Sequence, residues 1–385
     1  MQTLLLNQFF HPDTSPTSQL LTDLGRQLAE RGSGVRALCG RSSYADPDTT
    51  DPPPVEIVRC GSLRFTRGVI GRVSSYGAFF AGALWRALRD APPDLVITLT
   101  TPPGLCLVGS LLARLRGTRH FIWEMDVYPD IAVDLGVLPP RSLVTRSLGV
   151  LLDRARRRAD GIIVLGECMR DRLIAHGIPA AKIHIAENWA DGRQITPLPF
   201  PPADPITILY SGNLGLAHDV ATIGAAIERL ANDARFRFVF AGGGAQRAAL
   251  EDGFRARAAS NISFQPYQPR TEMTQTLGAC HLGLVTQKSA TLGSVVPSKT
   301  YGLMAAGRPI LYIGPRKSTP ARIIQRFACG WHIEPGDVDS LLDLLHALSR
   351  NPGLIAEAGA RGRAAFVKHY DLPVGVARIC QIVGV

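Results

Sequence analysis

Short strand-like apolar runs alternate with helix-length stretches through most of the chain. Thr3–Leu6 is followed, after the loop 7–18, by a stretch of helical spacing that closes at Glu30-Arg31-Gly32, where the glycine supplies a C-terminal cap. Runs at Val35–Leu38, Val55–Arg59, Leu95–Leu99, His120–Trp123 and Gly161–Leu165 continue the series. A second series opens at Ile206–Ser211 and goes on through Phe236–Ala241, Ile262–Phe264, Leu282–Val285 and Ile310–Ile313. This alternation is the mark of βαβ units, so the pattern predicts an α/β protein with two parallel sheets.

Between the two series lies 196–205, with five prolines in ten residues. Such a stretch forms neither a central strand nor a helix interior, and it reads as a stiff interdomain linker. A length of 385 residues suits two domains of ordinary size, 1–195 before the linker and 206 onward after it. The uncharged window 95–113 is about long enough to cross a bilayer, but Pro102 and Pro103 interrupt it directly after a strand-like run, which predicts strand, turn and helix instead. Met1–Phe10 has no basic start and reads as a first strand, not a signal peptide.

Composition narrows this picture. With 46% hydrophobic and 19% charged residues, the chain is no low-complexity disordered segment. Its net charge of +10 comes from 42 basic and 32 acidic residues, and only five of the basic ones are lysines (182, 288, 299, 317 and 368). An arginine excess reflects codon usage as readily as phosphate binding, and no nucleic-acid-binding motif accompanies it, so no nucleic-acid partner is expected. The seven cysteines are odd in number, widely spaced and without a C-x-x-C pair, which argues against a disulfide framework or zinc site and for a reducing compartment.

In open α/β sheets ligands bind beyond the carboxyl ends of strands, so the loops after strands are where chemistry is sought. Three stand out in the second half. Tyr210-Ser211-Gly212-Asn213-Leu214-Gly215-Leu216-Ala217-His218 leads from a strand to a helix, and its glycines permit close approach of a phosphate as readily as a plain turn. Ala241-Gly242-Gly243-Gly244 follows the next strand and is a weak dinucleotide-like pattern. In Val296-Pro297-Ser298-Lys299-Thr300-Tyr301-Gly302, Pro297 suits a first helical turn, and Lys299 there opposes the helix dipole unless an anion is bound.

These three loops, in this order, resemble the nucleotide-sugar domain of retaining GT-B glycosyltransferases of glycosyltransferase family 4. The opening 4–12, the segment 177–191, and Gly336-Asp337 with its following helix are also similar to that family, so the likeness covers nearly the whole chain. P-S-K-x-Y-G (297–302) and Asp126-Val127-Tyr128-Pro129-Asp130 look like bacterial enzymes of surface-polysaccharide and lipid-linked oligosaccharide synthesis. The resemblance implies two Rossmann-like domains facing each other across a cleft that closes about the linker. It implies an acceptor domain at 1–195, a nucleotide-sugar domain at 206–370, and a last helix at 371–385 returning to the first domain.

The implied reaction moves a sugar from a nucleotide diphosphate, a UDP-sugar more than a GDP-sugar, to a hydroxyl of a glycan, glycolipid or small molecule. It implies retention, no metal and no cofactor. Two departures matter: Asn213 and His218 stand where many members carry Arg and Lys for the pyrophosphate, and Ser294 and Gly302 stand where they carry a Glu-x7-Glu pair. Lys299 is then the candidate cation for the diphosphate, assisted by Gly212, Asn213, Leu214, Gly215, His218, Gly243 and Gly244, with Pro297, Ser298 and Tyr301 beside it. Tyr267 and Gln268 stand where the family holds the base, although Tyr267 is equally readable as core.

On the first domain, Asp126 is the candidate for the acceptor hydroxyl or donor sugar and Glu124 the second choice, against a structural loop cap; His11, Thr14 and Ser15 are acceptor-side or turn-forming. Arg316 and Lys317 follow a later strand end, where an anionic ligand could be met, and read first as a solvated loop. Two stretches mixing arginine with apolar residues, 64–85 and 148–159, suit an anionic membrane surface, here the inner face of the cytoplasmic membrane, and the second is also readable as a half-buried helix. A nucleotide-sugar epimerase and a non-catalytic nucleotide-sugar-binding subunit remain open beside the transferase.

Overall fold

The protein, here a computed structural model, is described over residues 1–41, 52–61, 69–255 and 259–385, with the side chains of 69, 70, 72 and 73 left aside. It forms two compact units, Met1–Glu187 with Gly375–Val385, and Asn188–Val374.

The first unit runs β1 (Gln2–Leu6), α1 (Pro16–Glu30), β2 (Gly34–Cys39), β3 (Glu56–Arg59), α2 (Val69–Arg89), β4 (Leu95–Thr98), α3 (Cys106–Arg116), β5 (Arg119–Glu124), α4 (Asp130–Asp134), α5 (Leu143–Arg158), β6 (Gly161–Val164), α6 (Glu167–Ala175) and β7 (Ile183–Ile185). Its strands are all parallel, in the order β3-β2-β1-β4-β5-β6-β7. Helices cover the sheet, so β4, β5 and β6 carry nearly unbroken apolar runs such as Leu95-Val96-Ile97, each fully buried. The 95–113 window is therefore β4, a turn and most of α3, and no helix among the described residues is long and apolar enough to cross a membrane.

The second unit runs β8 (Ile206–Asn213), α7 (Ala221–Arg229), β9 (Phe236–Gly243), α8 (Ala245–Arg255), β10 (Ile262–Gln265), α9 (Met273–Gly278), β11 (Leu282–Thr286), α10 (Lys299–Ala305), β12 (Ile310–Ile313), α11 (Thr319–Phe327), β13 (Gly330–Ile333), α12 (Val338–Arg350), α13 (Gly353–His369) and the start of α14 (Leu372–Val383). Its parallel order is β10-β9-β8-β11-β12-β13. Alternate residues of β8 enter opposite cores: Ile208 and Tyr210 pack with Phe238 and Phe240 on one face, Leu209 with Val285 and Met304 on the other. In both sheets the strand order reverses beside the first strand of the unit, between β1 and β4 and between β8 and β11, and such switch points open a crevice at the strands' carboxyl ends.

The proline-rich stretch lies inside the second unit and is bound to it. Buried Arg308 donates to the carbonyls of Leu198, Pro199, Leu277 and Gly278 at 2.6–3.3 Å, and its guanidinium stacks 4.0 Å from the Phe200 ring centroid. His281 adds a contact to the Pro201 carbonyl at 3.2 Å. All seven cysteines are buried and unbridged.

Candidate active site

At the second switch point the ends of β8 and β9 run side by side through Gly212–Gly242 and Asn213–Gly243. Gly212 has φ +124°, and a β-carbon there would stand 2.8 Å from Cε of Lys299, so only glycine lets that side chain lie across the strand end. Gly244, at φ +115°, would carry its β-carbon 2.4 Å from the Leu214 carbonyl oxygen. The glycines of both loops thus serve close packing of the strand ends and of the lysine between them.

Lys299 opens α10, with its Nζ 4.9 Å from the Tyr210 ring centroid. The side chain is half-buried, and among the described residues no carboxylate pairs with it. Burial alone pulls its ammonium down to about 8. A cation held out of water over an aromatic face and without a counter-ion is a ready place for an anion.

His218 reaches into the same corner. Its Nδ1 lies 2.8 Å from the Thr286 carbonyl oxygen and its Nε2 3.2 Å from the Tyr210 hydroxyl, which donates to the Asn213 carbonyl at 2.7 Å. Burial, and then the charge of Lys299, pull its imidazole down to about 4. His218 is therefore neutral at pH 7 and clamps the loop after β8 onto the end of β11 instead of supplying charge. Leu214 is corrected as a donor contact, because its amide is spent on the Gly243 carbonyl at 2.7 Å and its side chain is in the core. Tyr301 is corrected likewise: it is 1% exposed and packs against Tyr370. Tyr267, by contrast, is 60% exposed, with its ring over Gly243, so it is not core, and Gln268 lies next to it, donating to the Pro266 carbonyl.

Pro297 and Ser298 lead into α10, and Ser298 caps it through backbone alone. The loop before them is pinned by Gln287, which accepts from the Tyr312 hydroxyl at 2.9 Å and donates to the Thr291 and Val295 carbonyls, both at 3.1 Å. This brings in a residue that pattern reading passed over. Lys288 follows β11, its amide donates to the Ala217 carbonyl at 2.8 Å, and its charge also bears on His218. The signal available in the sequence was scarcity: in a chain with so few lysines, two fall on this one segment. Ser294 is buried and donates to the Thr291 carbonyl, while Arg316 and Lys317 are exposed, Arg316 lying 3.5 Å from Glu334.

In the first unit Asp126 lies just past β5. Its amide donates to Thr100 Oγ1 at 3.3 Å, and burial followed by the nearby Glu124 charge pushes its carboxyl up to about 6. Burial and then the Asp126 charge raise the phenol of Tyr128 as well. Glu124 is corrected as a reacting group. It is 1% exposed and bound to Nε of buried Arg156 at 2.6 Å, while Arg156 also holds Asp153 at 2.8 Å and the Tyr128 carbonyl at 2.9 Å. That ion pair braces the loop carrying Asp126.

Ser15 caps α1 by accepting from the Ser18 amide at 3.3 Å, the Thr14 carbonyl accepts from Gln19, and His11 is tied by its backbone to Thr22 and Arg59. Through these contacts the three residues shape the loop after β1.

Two family models match this chain in tandem: a glycosyl transferase 4-like domain over residues 18–189 and glycosyl transferases group 1 over 197–365. The chain belongs to the GT-B glycosyltransferases. It is 29% identical over 266 residues to the probable glycosyltransferase WbjE of Pseudomonas aeruginosa, a match covering 66% of this chain and 65% of that protein's length. With the putative colanic acid biosynthesis glycosyl transferase WcaI of Escherichia coli K12 it shares 25% identity over 286 residues, covering 70% of this chain and 68% of WcaI. The fold matches the crystal structure of Anabaena HepE in complex with UDP-glucose with a TM-score of 0.74 at 14% identity, over 100% of this chain and 99% of HepE. The two Rossmann-like units of this GT-B protein thus account for the double series of apolar runs.

Proposed function

We propose that the protein transfers a sugar from a nucleoside diphosphate sugar to a hydroxyl of a glycan or glycolipid in polysaccharide synthesis. The observation that carries this reading is Lys299, a half-buried cation without a carboxylate partner at the switch point of the second unit. WbjE, WcaI and the UDP-glucose in HepE support a sugar-transfer reading and a UDP-linked donor. In the proposed step the bond from the sugar's anomeric carbon to the diphosphate oxygen breaks, a bond to the acceptor oxygen forms, and the acceptor proton passes to the departing diphosphate. The sugar keeps its anomeric configuration and no metal takes part. Lys299 offsets the leaving charge, and Asp126 orients the acceptor hydroxyl.

The test measures UDP binding by calorimetry and sugar transfer by product analysis. Lys299→Ala is expected to weaken UDP about tenfold to a hundredfold, the worth of one charge-assisted contact. Full UDP affinity in that variant would overturn the site. Turnover of the nucleotide sugar without any acceptor would favour an epimerase, and saturable binding without turnover across a broad acceptor panel would favour a binding subunit.

A further inference from the structure

Helix α5 is turned inside out relative to an ordinary surface helix. Its inward face carries Arg156, fully buried, together with Thr145, Leu152 and Ala155. Its outward face carries large aliphatic side chains: Leu143 is 80% exposed, Val144 68%, Val150 67% and Leu151 46%. At 100° per residue these four fall in the same arc as Arg146, Arg154, Arg157 and Arg158, all exposed. None of these four arginines pairs with a carboxylate among the described residues, and the one acidic residue of the helix, Asp153, is bound to Arg156 and His176. The aliphatics dominate the first turns and the arginines the last.

A surface of this make-up suits one kind of partner. Leu and Val gain nothing from water, and an array of unpaired arginines opposes its own copy across a symmetric contact. An anionic bilayer accepts both, the aliphatics at the acyl boundary and the guanidinium groups among the head groups. We infer that the outer face of α5 docks the protein on an anionic lipid surface. The inference goes beyond the sugar-transfer reading and does not depend on it. The other basic-apolar stretch offers no structural support, since Arg64 and Arg67 lie outside the described residues, as does the side chain of Arg72.

The test is flotation of the full chain with vesicles of phosphatidylcholine alone and of phosphatidylcholine mixed with phosphatidylglycerol. Binding is expected to the mixed vesicles only, and to fall as salt is raised. Reversing three charges, Arg154→Glu with Arg157→Glu and Arg158→Glu, is expected to weaken it about a hundredfold. Leu143→Ser with Val144→Ser is expected to weaken it about tenfold while leaving the salt dependence in place. Melting temperature and UDP binding, unchanged in both variants, report an intact fold, and Lys299→Ala tests the donor site separately because it leaves flotation unaffected. Equal flotation with both vesicle types, or unaltered flotation of the charge-reversed variant, would overturn the inference. So would a dimer of the wild type, seen by sedimentation without vesicles, that the same reversals break.

Discussion

Two half-buried ionisable side chains, one in each unit, are set away from their ordinary protonation range, and each makes a distinct prediction. Lys299 has a folded value of about 8 against an ordinary 10.5, from burial alone. Below pH 8 the ammonium is charged in the folded protein and its burial opposes stability; that cost disappears as pH rises through the interval between the two values. A bound diphosphate favours the charged form, so UDP affinity is expected to be flat below about pH 8 and to fall above it by up to tenfold per pH unit. Titration calorimetry across that range checks this, and Lys299→Ala should flatten the profile.

Asp126 is shifted the other way, to about 6 from 3.8. Its folded carboxylate is the disfavoured form, so stability falls as pH rises from 3.8 toward 6 and the cost persists at pH 7. Asp126→Asn is therefore expected to raise stability at pH 7 by about 1 to 3 kcal/mol, to lose that gain below pH 4, and to cut sugar transfer by about a hundredfold. A gain in melting temperature without loss of transfer would leave Asp126 a loop residue. Asp126 and Lys299 were both legible as residue types at strand ends. Their separation from Glu124 and His218 was not, because sequence spacing does not reveal that Arg156 and Thr286 already occupy those two groups.

At the scale of elements, α5 connects the Asp126 loop to the molecular surface. Arg156 on its inner side joins Glu124 at the end of β5 to the Tyr128 carbonyl, and removing the guanidinium leaves a carboxylate buried without its partner. Arg156→Ala is expected to destabilise the protein by about 3 to 5 kcal/mol, and the double replacement Arg156→Met with Glu124→Leu by much less, both read from urea unfolding. Apolar runs located the central strands of both sheets well, because a strand covered on two faces needs unbroken hydrophobicity. They missed β7 and β13 at the sheet edges, where Ile183-His184-Ile185 is short and Gly330-Trp331-His332-Ile333 is half-buried, so neither needs such a run. Composition marked the proline-rich stretch as stiff. It did not show that Arg308, a residue distant in sequence, gathers its carbonyls and fixes it to the second unit.

For the molecule as a whole, the chain's last residues matter out of proportion to their number. Residues 375–385 belong to the first unit, although in sequence all of the second unit lies between them and the rest of it. Val376, Ile379, Cys380 and Val383 are fully buried, Arg378 pairs with Glu187 at 2.7 Å, and Arg119 donates to the Val383 carbonyl at 2.8 Å. Burial of three such aliphatic side chains stabilises by about 5 to 9 kcal/mol, comparable to the whole stability of an ordinary domain. Ending the chain at Val374 is therefore expected to unfold the first unit and leave the second, whose core and lysines are untouched. Calorimetry should show one melting transition lost and the surviving one still raised by UDP, since a ligand stabilises only the unit that binds it. Loss of the UDP-sensitive transition instead would mean that the second unit depends on the first for its fold. Persistence of both transitions would mean that the closing helix contributes little to the unit it joins.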